Sequence, residues 1–421
     1  MAVTLETPRE ESIHNLSDSE LNDLAYKEVC AKMVADFKAN PQPPMEWNLD
    51  NIRKLTNDQK RVLAKALRLN DYFVEHIESL RHVGFMFPKR TKDSLVFDRD
   101  SGAFILGSKK KVVTTRNINH LQTIARIMWF NNLVMGLLNE ADISTLRGVY
   151  YLSMKEKKPN LSFEVTKPKH EREGPIAAAS FVSTMESLYG VPHELFGILP
   201  QERGSIFGSA EMEYTYPPNF AGKRFRLDAV PEGMNVGPSL TSANIISCDA
   251  ERVIVVEKGE IFKKMVAKGL HEKYHAILVD SAGTGSSGTK LLVKKFVDQF
   301  KFRAYLVVDA DPWGLHIART WMVGSAKNGH LRTAIPTAKF LGATARDIVD
   351  YNLPPIRLDD RDKHRVQTLL EDPRYNDPVW HQYLLDYQRL GQKQELQAFT
   401  VHGLGFFTDT YLPSKMEAAD R

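Results

Sequence analysis

Cysteine is nearly absent from this chain: Cys30 and Cys248 are the only two in 421 residues. Two thiols so far apart make neither a disulfide framework nor a zinc cluster, and both are expected to be reduced core residues. No apolar run approaches the roughly 18 residues of a membrane span, and no charged-then-apolar leader follows Met1. A soluble, cytoplasmic protein with no membrane partner is therefore expected. Internal repeats and low-complexity tracts are also missing. Acidic residues are missing from one long window, since none lies between Asp100 and Glu140, where Lys109, Lys110, Lys111, Arg116 and Arg126 fall. The overall charge of +4 is mild, but a local basic field of this kind suits a phosphate backbone. Charge alone is also met by a solvated loop with three adjacent lysines.

What is present is enough chain for more than one core, because single cores rarely grow past about 250 to 300 residues. Residues 1–20 are polar and acidic and read as an unstructured leader. Helical patterns follow at 21–38 and, after the Pro41-Gln-Pro-Pro44 break, at 56–80. There Val62, Leu63, Ala66, Leu67, Phe73, Val74 and Ile77 recur at helical spacing, so residues 21–82 read as a helical extension with an apolar face seeking a partner. From 83 to 165 the pattern becomes short strands flanking helices. Leu95–Asp98 and Ala103–Leu106 are expected to pair as a hairpin across Arg99-Asp-Ser-Gly102, with helices at 118–130 and from Ser144. Helix, turn and helix beside a strand pair is the outline of a winged helix of the CAP-like kind. Lys155 to Pro175 reads as a linker, and 166–250 as linker and flanking segment.

Beyond residue 250 strands alternate with helices, at 253–256, 276–279 and 305–308 for strands and 261–270, 289–300 and 315–322 for helices. That alternation predicts a parallel α/β sheet with its ligand site at the strand carboxyl ends, giving an α+β and α/β multidomain chain. Two of those strands end in acids: Val253-Ile-Val-Val-Glu257 and Tyr305-Leu-Val-Val-Asp309-Ala-Asp311-Pro-Trp-Gly314. Unpaired burial of such acids costs several kcal/mol, so a metal or a basic partner is nearly required. Magnesium, which takes oxygen ligands and needs only one or two carboxylates per ion, suits them. Gly283-Thr-Gly-Ser-Ser-Gly288 lacks the spacing of a phosphate-binding loop and reads as a turn. His271, His275, His316 and His330 show no paired ligand spacing.

A second motif, Thr145-Leu-Arg147-Gly-Val-Tyr150-Tyr151, follows the basic window. On a helix Arg147 and Tyr151 share a face. A phenol is a poor nucleophile at neutral pH unless a guanidinium holds the target phosphate and offsets the charge that grows there. A tyrosine pair on a helix is also a common core feature.

Arg147-x-x-Tyr150-Tyr151 ahead of Glu257 and Asp309-x-Asp311 resembles the A subunit of type IIB topoisomerases, DNA topoisomerase VI, and the related meiotic double-strand-break transesterase. The likeness extends to Leu95-Val-Phe-Asp98 through Gly107, Arg203-Gly-Ser-Ile-Phe-Gly208, Pro336-Thr-Ala-Lys-Phe-Leu-Gly342 and Gly403 through Pro413, covering roughly residues 85–416. The resemblance implies a winged-helix domain over 83–165 and a Toprim domain with its elaboration over 251–421. It implies Tyr151 as nucleophile, Arg147 at the scissile phosphate, Arg203 on DNA, and Mg2+ held by Glu257, Asp309 and Asp311. It further implies a nucleoid-associated homodimer on double-stranded DNA, cutting and rejoining it through a 5′-phosphotyrosyl link. ATP-driven strand passage would come from a separate ATPase B subunit in an A2B2 heterotetramer. The basic-window residues Lys109, Lys110, Lys111 and Arg116 are added as DNA contacts. Three rivals remain open: a transesterase that does not reseal, a Toprim nuclease using metal-bound water, and a DNA-binding module with a vestigial acid cluster. Two departures stand out. Gly148 occupies a position usually acidic in relatives, at about 1 kcal/mol of helix propensity, and the 283–288 segment is less basic than the family version.

Overall fold

A computed structural model describes residues 45–155, 161–163, 173–199, 204–217 and 219–421. The expected leader, the expected 21–38 helix, Cys30 and Arg203 lie outside these residues. The chain divides into two compact units: residues 1–88 with 110–199, and residues 89–109 with 200–421. This departs from the expected boundaries in two places. The 95–106 hairpin, assigned above to the winged-helix segment, belongs to the second unit, and 173–199, assigned to the linker, belongs to the first.

In the first unit Thr56 caps the Asn57–Glu78 helix, its hydroxyl accepting from the Gln59 amide while the Gln59 side chain returns the bond. The apolar face read from the sequence is covered in part, with Leu67 and Val74 exposed. Val62, Leu63 and Ala66 are buried in one core with Phe130, Val134 and Leu138 of the Leu121–Glu140 helix. Asn131 reaches across that contact to the Ala66 carbonyl at 3.0 Å. Gly84–Pro88 pairs antiparallel with Lys110–Thr114, placing Phe85, Phe87 and Val113 in the same core. The Leu146–Lys155 and Glu173–Tyr189 helices complete the unit, contributing Val149, Val182 and Met185.

The second unit is built on a six-stranded sheet in the order Met234–Asn235, Ser205–Phe207, Ala276–Asp280, Arg252–Val256, Arg303–Val307, Lys339–Gly342. The last four are mutually parallel, Ser205–Phe207 runs antiparallel to them, and Met234–Asn235 is antiparallel to Ser205–Phe207 at the edge. Strand alternation sends Val253, Val255, Val279 and Leu306 to one face, against Leu292, Phe296 and Trp321. Ile254, Val256, Leu278 and Val307 go to the other, against Phe262, Met265 and Phe399. Both faces are covered, which is why the strand sequences are continuously apolar. The crossover helices Gly259–Ala267 and Ser287–Phe300 lie within a few residues of the positions read from periodicity. The chain steps from 252–256 to its neighbour on one side, then returns to the other side with 303–307. The crevice at such a reversal, at the strand carboxyl ends, is where open α/β sheets take ligands. The 95–106 hairpin forms in the register expected, Leu95 opposite Leu106 and Asp98 opposite Ala103. Its Phe104 carbonyl and Leu106 side chain sit so close to Gly324 and Gly329 that a Cβ at either glycine would lie 3.2 Å and 2.8 Å from them.

A buried ion pair anchors the second unit. Arg374 makes two bonds to the Asp372 carboxylate, at 3.0 and 2.7 Å, and a third to the Gly324 carbonyl. Asp372→Ala leaves that guanidinium buried without its counter-charge and is expected to cost about 3 to 5 kcal/mol in a urea titration; an unchanged midpoint would contradict this. His316, hydrogen-bonded to the Tyr375 hydroxyl, is held neutral: burial first, then the Arg365 and Arg374 charges, push it down to about 3. The unfolded chain takes up this proton from about pH 6.5 downward while the folded chain does not, so stability falls as pH drops through the 6.5-to-3 window. The expected loss from this group is about 2 kcal/mol by pH 5. His316→Asn should flatten the dependence of denaturation midpoint on pH between 7 and 5 by about that amount.

Candidate active site

The tyrosine pair sits on the Leu146–Lys155 helix, whose start is set by Thr145: its hydroxyl accepts from the Gly148 amide at 2.9 Å. The structure gives a reason for the glycine here. A Cβ at Gly148 would lie 2.5 Å from the Ser144 hydroxyl, so the first turn closes tightly on the preceding residue. The two tyrosines then separate in role. Tyr150 packs against Gly174 of the next helix, where an added Cβ would come within 2.4 Å of its ring. Tyr151 is 59% exposed, and Arg147, one turn earlier, is exposed as well. The phenol that is free to meet a ligand is thus the second of the pair.

The acids converge at the carboxyl edge of the parallel sheet. Glu257 directly follows the 252–256 strand, and its Oε2 accepts from the Asp309 amide at 3.1 Å. Asp309 is 4% exposed; its Oδ1 accepts from the Leu396 amide at 2.9 Å and its Oδ2 lies 3.0 Å from Lys258 Nζ. Asp311 caps the Pro312–Val323 helix by accepting from the Gly314 amide, with Pro312 in the first turn. Gly314 is required by proximity, since a Cβ there would meet the Asp309 carbonyl at 2.4 Å. Burial, then the neighbouring Asp309 charge, pushes Glu257 up to about 7. Burial pushes Asp311 up to about 6, against the bond it receives from Gly314. Burial and mutual repulsion make it costly for these acids to ionise together without a compensating cation, and oxygen-only donors of this kind fit a hard divalent one.

Two further neighbours of the acids go beyond what the motifs indicate. Lys258 bridges Asp309 and Glu395, at 3.0 and 2.9 Å. Lys258 adjoins Glu257 in sequence, which is a usable signal; Glu395 comes from far along the chain and carries no local one.

Among the described residues, the one group of three whose ligand atoms all lie within 4.8 Å of each other is elsewhere: Glu186, His193 and Glu194 in the first unit. The Glu257, Asp309 and Asp311 set does not close to that spacing. His193 Nδ1 is 2.7 Å from Glu186 Oε1, which also accepts from the His193 amide at 3.0 Å. Burial works against a charge on this ring, but the two carboxylates hold its pKa above the ordinary value. The trio therefore reads as an ion pair tying the helix end to the following turn.

The basic window divides. Lys110 and Lys111 are exposed on consecutive positions of the 110–114 strand, so they face opposite sides, and Arg116 is exposed just beyond. Lys109 belongs to the second unit and is occupied by Asp93, with its Nζ 3.2 Å from the carboxylate and 2.7 Å from the carbonyl. Arg126 is consumed internally: it bonds the Leu161 and Ser162 carbonyls and lies over the Phe163 ring. In the 283–288 turn, Ser286 caps the following helix by accepting from the Thr289 amide, and Lys290 points inward. Its Nζ lies 5.4 Å from the Trp321 ring centre, and burial, then Arg374, lowers its pKa to about 8.

Comparison with known proteins bears on this arrangement. The Toprim-domain family of the topoisomerase 6 A-subunit/Spo11 group matches residues 252–416, the span that holds all three acids. That span is similar to the Toprim domain of this family. Likeness also extends over most of the chain. The A subunit of type 2 DNA topoisomerase 6 from Methanothermobacter thermautotrophicus is 29% identical over 370 residues, covering 86% of this chain and 99% of that protein. The proteins of the same name from Halobacterium salinarum and Archaeoglobus fulgidus are 26% and 28% identical, covering 86% and 78% of this chain and 97% and 89% of theirs. The chain is thus similar to these A subunits over most of their length. No described helix is long and apolar enough to cross a membrane.

Proposed function

We propose that this protein is the DNA-cleaving A subunit of a type IIB topoisomerase, with Tyr151 as its nucleophile. The observation that carries the reading is the division of labour in the tyrosine pair: Tyr150 is packed on Gly174 while Tyr151 stands exposed one turn from an exposed Arg147. In this mechanism the Tyr151 oxygen attacks a backbone phosphorus, its proton leaves to solvent, the bond to the 3′ oxygen breaks, and that oxygen takes a proton from solvent. The products are a 3′ hydroxyl and a 5′-phosphotyrosyl link. Arg147 holds the non-bridging oxygens and offsets their growing charge. Because the link keeps the energy of the phosphodiester, resealing is the reverse step and needs no ATP.

Glu257, Asp309 and Asp311 would hold Mg2+, which supplies charge neutralisation at the scissile phosphate. The first unit, with the 121–140 and 146–155 helices, would act as the winged-helix module that positions the strand, with Lys110, Lys111 and Arg116 on backbone phosphates and Arg203 on the same strand. A homodimer would bring one protomer's tyrosine to its partner's acids, and a separate ATPase subunit would drive strand passage in an A2B2 assembly on nucleoid DNA. Contacts of this kind are to phosphate, so binding should be broad in sequence and weaken steeply with salt. The test is denaturation of the protein on end-labelled duplex with Mg2+. Label retained on the protein at a 5′ end supports the reading; cleavage with no adduct would point to hydrolysis by a Toprim nuclease instead.

A further inference from the structure

The Lys258 ammonium lies where a cation is wanted. It stands 3.0 Å from Asp309 Oδ2 and 2.9 Å from Glu395 Oε2, and Asp309's other oxygen is already engaged by the Leu396 amide. The oxygen of Asp309 left open by the backbone is therefore the one Lys258 takes. Asp309 and Glu395 hold this ammonium and Glu257 lies within its electrostatic reach, three acids against one ammonium, and Asp309 is almost completely buried while Glu395 is exposed.

We infer that Lys258 is an exchangeable counter-ion built into the acid site: it holds Asp309 Oδ2 and yields that oxygen when a divalent cation binds, keeping its bond to Glu395. The inference rests on the metal role proposed above for the three acids. The physical reason is direct. A divalent cation and an ammonium at the same carboxylate oxygen repel, and the cation carries twice the charge, so it displaces the weaker partner. Glu395 on the solvent side gives the released ammonium a place to go without being set free. Lys258 starts the Gly259–Ala267 helix, so its backbone stays fixed while the side chain swings. Lys258 is thus a positioning residue, acting on Asp309.

The full 421-residue chain tests this without DNA or turnover. Acylation of Lys258 by an amine-reactive reagent, read by mass spectrometry, is expected to rise several-fold on saturation with Mg2+, while Lys301, exposed at the opposite, amino end of the 303–307 strand, stays constant. Calorimetry is expected to show Mg2+ binding about tenfold more tightly to Lys258→Met than to the unaltered chain, since no ammonium competes. Lys258→Gln serves if the first variant does not fold, judged by its circular dichroism. Magnesium binding with unchanged or reduced Lys258 acylation, or weaker binding by the variants, overturns the inference alone. Magnesium binding that Asp311→Asn does not weaken, or no binding at all, overturns the metal role and this inference with it.

Discussion

Tyr151→Phe is expected to abolish covalent capture of DNA, by at least about a thousandfold, while leaving fold and DNA affinity near those of the unaltered protein. The substitution removes one hydroxyl from a side chain that is 59% exposed, so little packing is lost. Tyr150→Phe is the matched control. Its ring is pressed against Gly174 and phenylalanine keeps that contact, so capture should persist. Equal label on the two variants would exclude Tyr151 as nucleophile. Arg147→Ala should fall between them, because a guanidinium at the phosphate stabilises the transition state but forms no bond to it.

Asp311→Asn is expected to have the next largest effect, a loss of Mg2+-dependent cleavage of about a thousandfold with an unchanged melting temperature. Asp311 does two things at once, capping the Pro312–Val323 helix and facing the acid site. Asparagine caps as well as aspartate but brings no charge. Asp311→Ala loses both and should melt lower by about 1 kcal/mol of stability. Cleavage assays and calorimetric melts on the pair separate the roles. Full cleavage by the asparagine variant would remove Asp311 from the metal set.

The second unit is largely legible in the sequence because its signal is local. A buried parallel strand is a continuous run of apolar β-branched residues, so 253–256 and 305–308 can be read directly, and the acids that follow them fall at the sheet's carboxyl edge by geometry alone. The 95–106 hairpin is legible from another local signal, the Arg99-Asp-Ser-Gly102 turn between two short apolar runs. What the local pattern does not carry is assignment to a unit. That hairpin packs near Gly324 and Gly329, more than two hundred residues onward, and the amphipathic 57–78 helix finds its partner in 121–140. Periodicity announces that a face needs covering; it does not say what covers it. The same limit hides Glu395, and it makes Lys109 look available when Asp93 already holds it.

The excursion of residues 89–109 has a practical consequence. Because the chain leaves the first unit after Pro88, returns at Lys110 and leaves again after Leu199, neither unit is a single stretch of polypeptide. A recombinant fragment beginning at residue 200 would carry every Toprim acid and still lack the hairpin that rests on Gly324 and Gly329, exposing the apolar ground beneath Leu106. Subcloning the second unit thus calls for supplying 89–109 as a separate peptide or by circular permutation, and a nick after Leu199 would leave 89–109 joined to the first unit's chain.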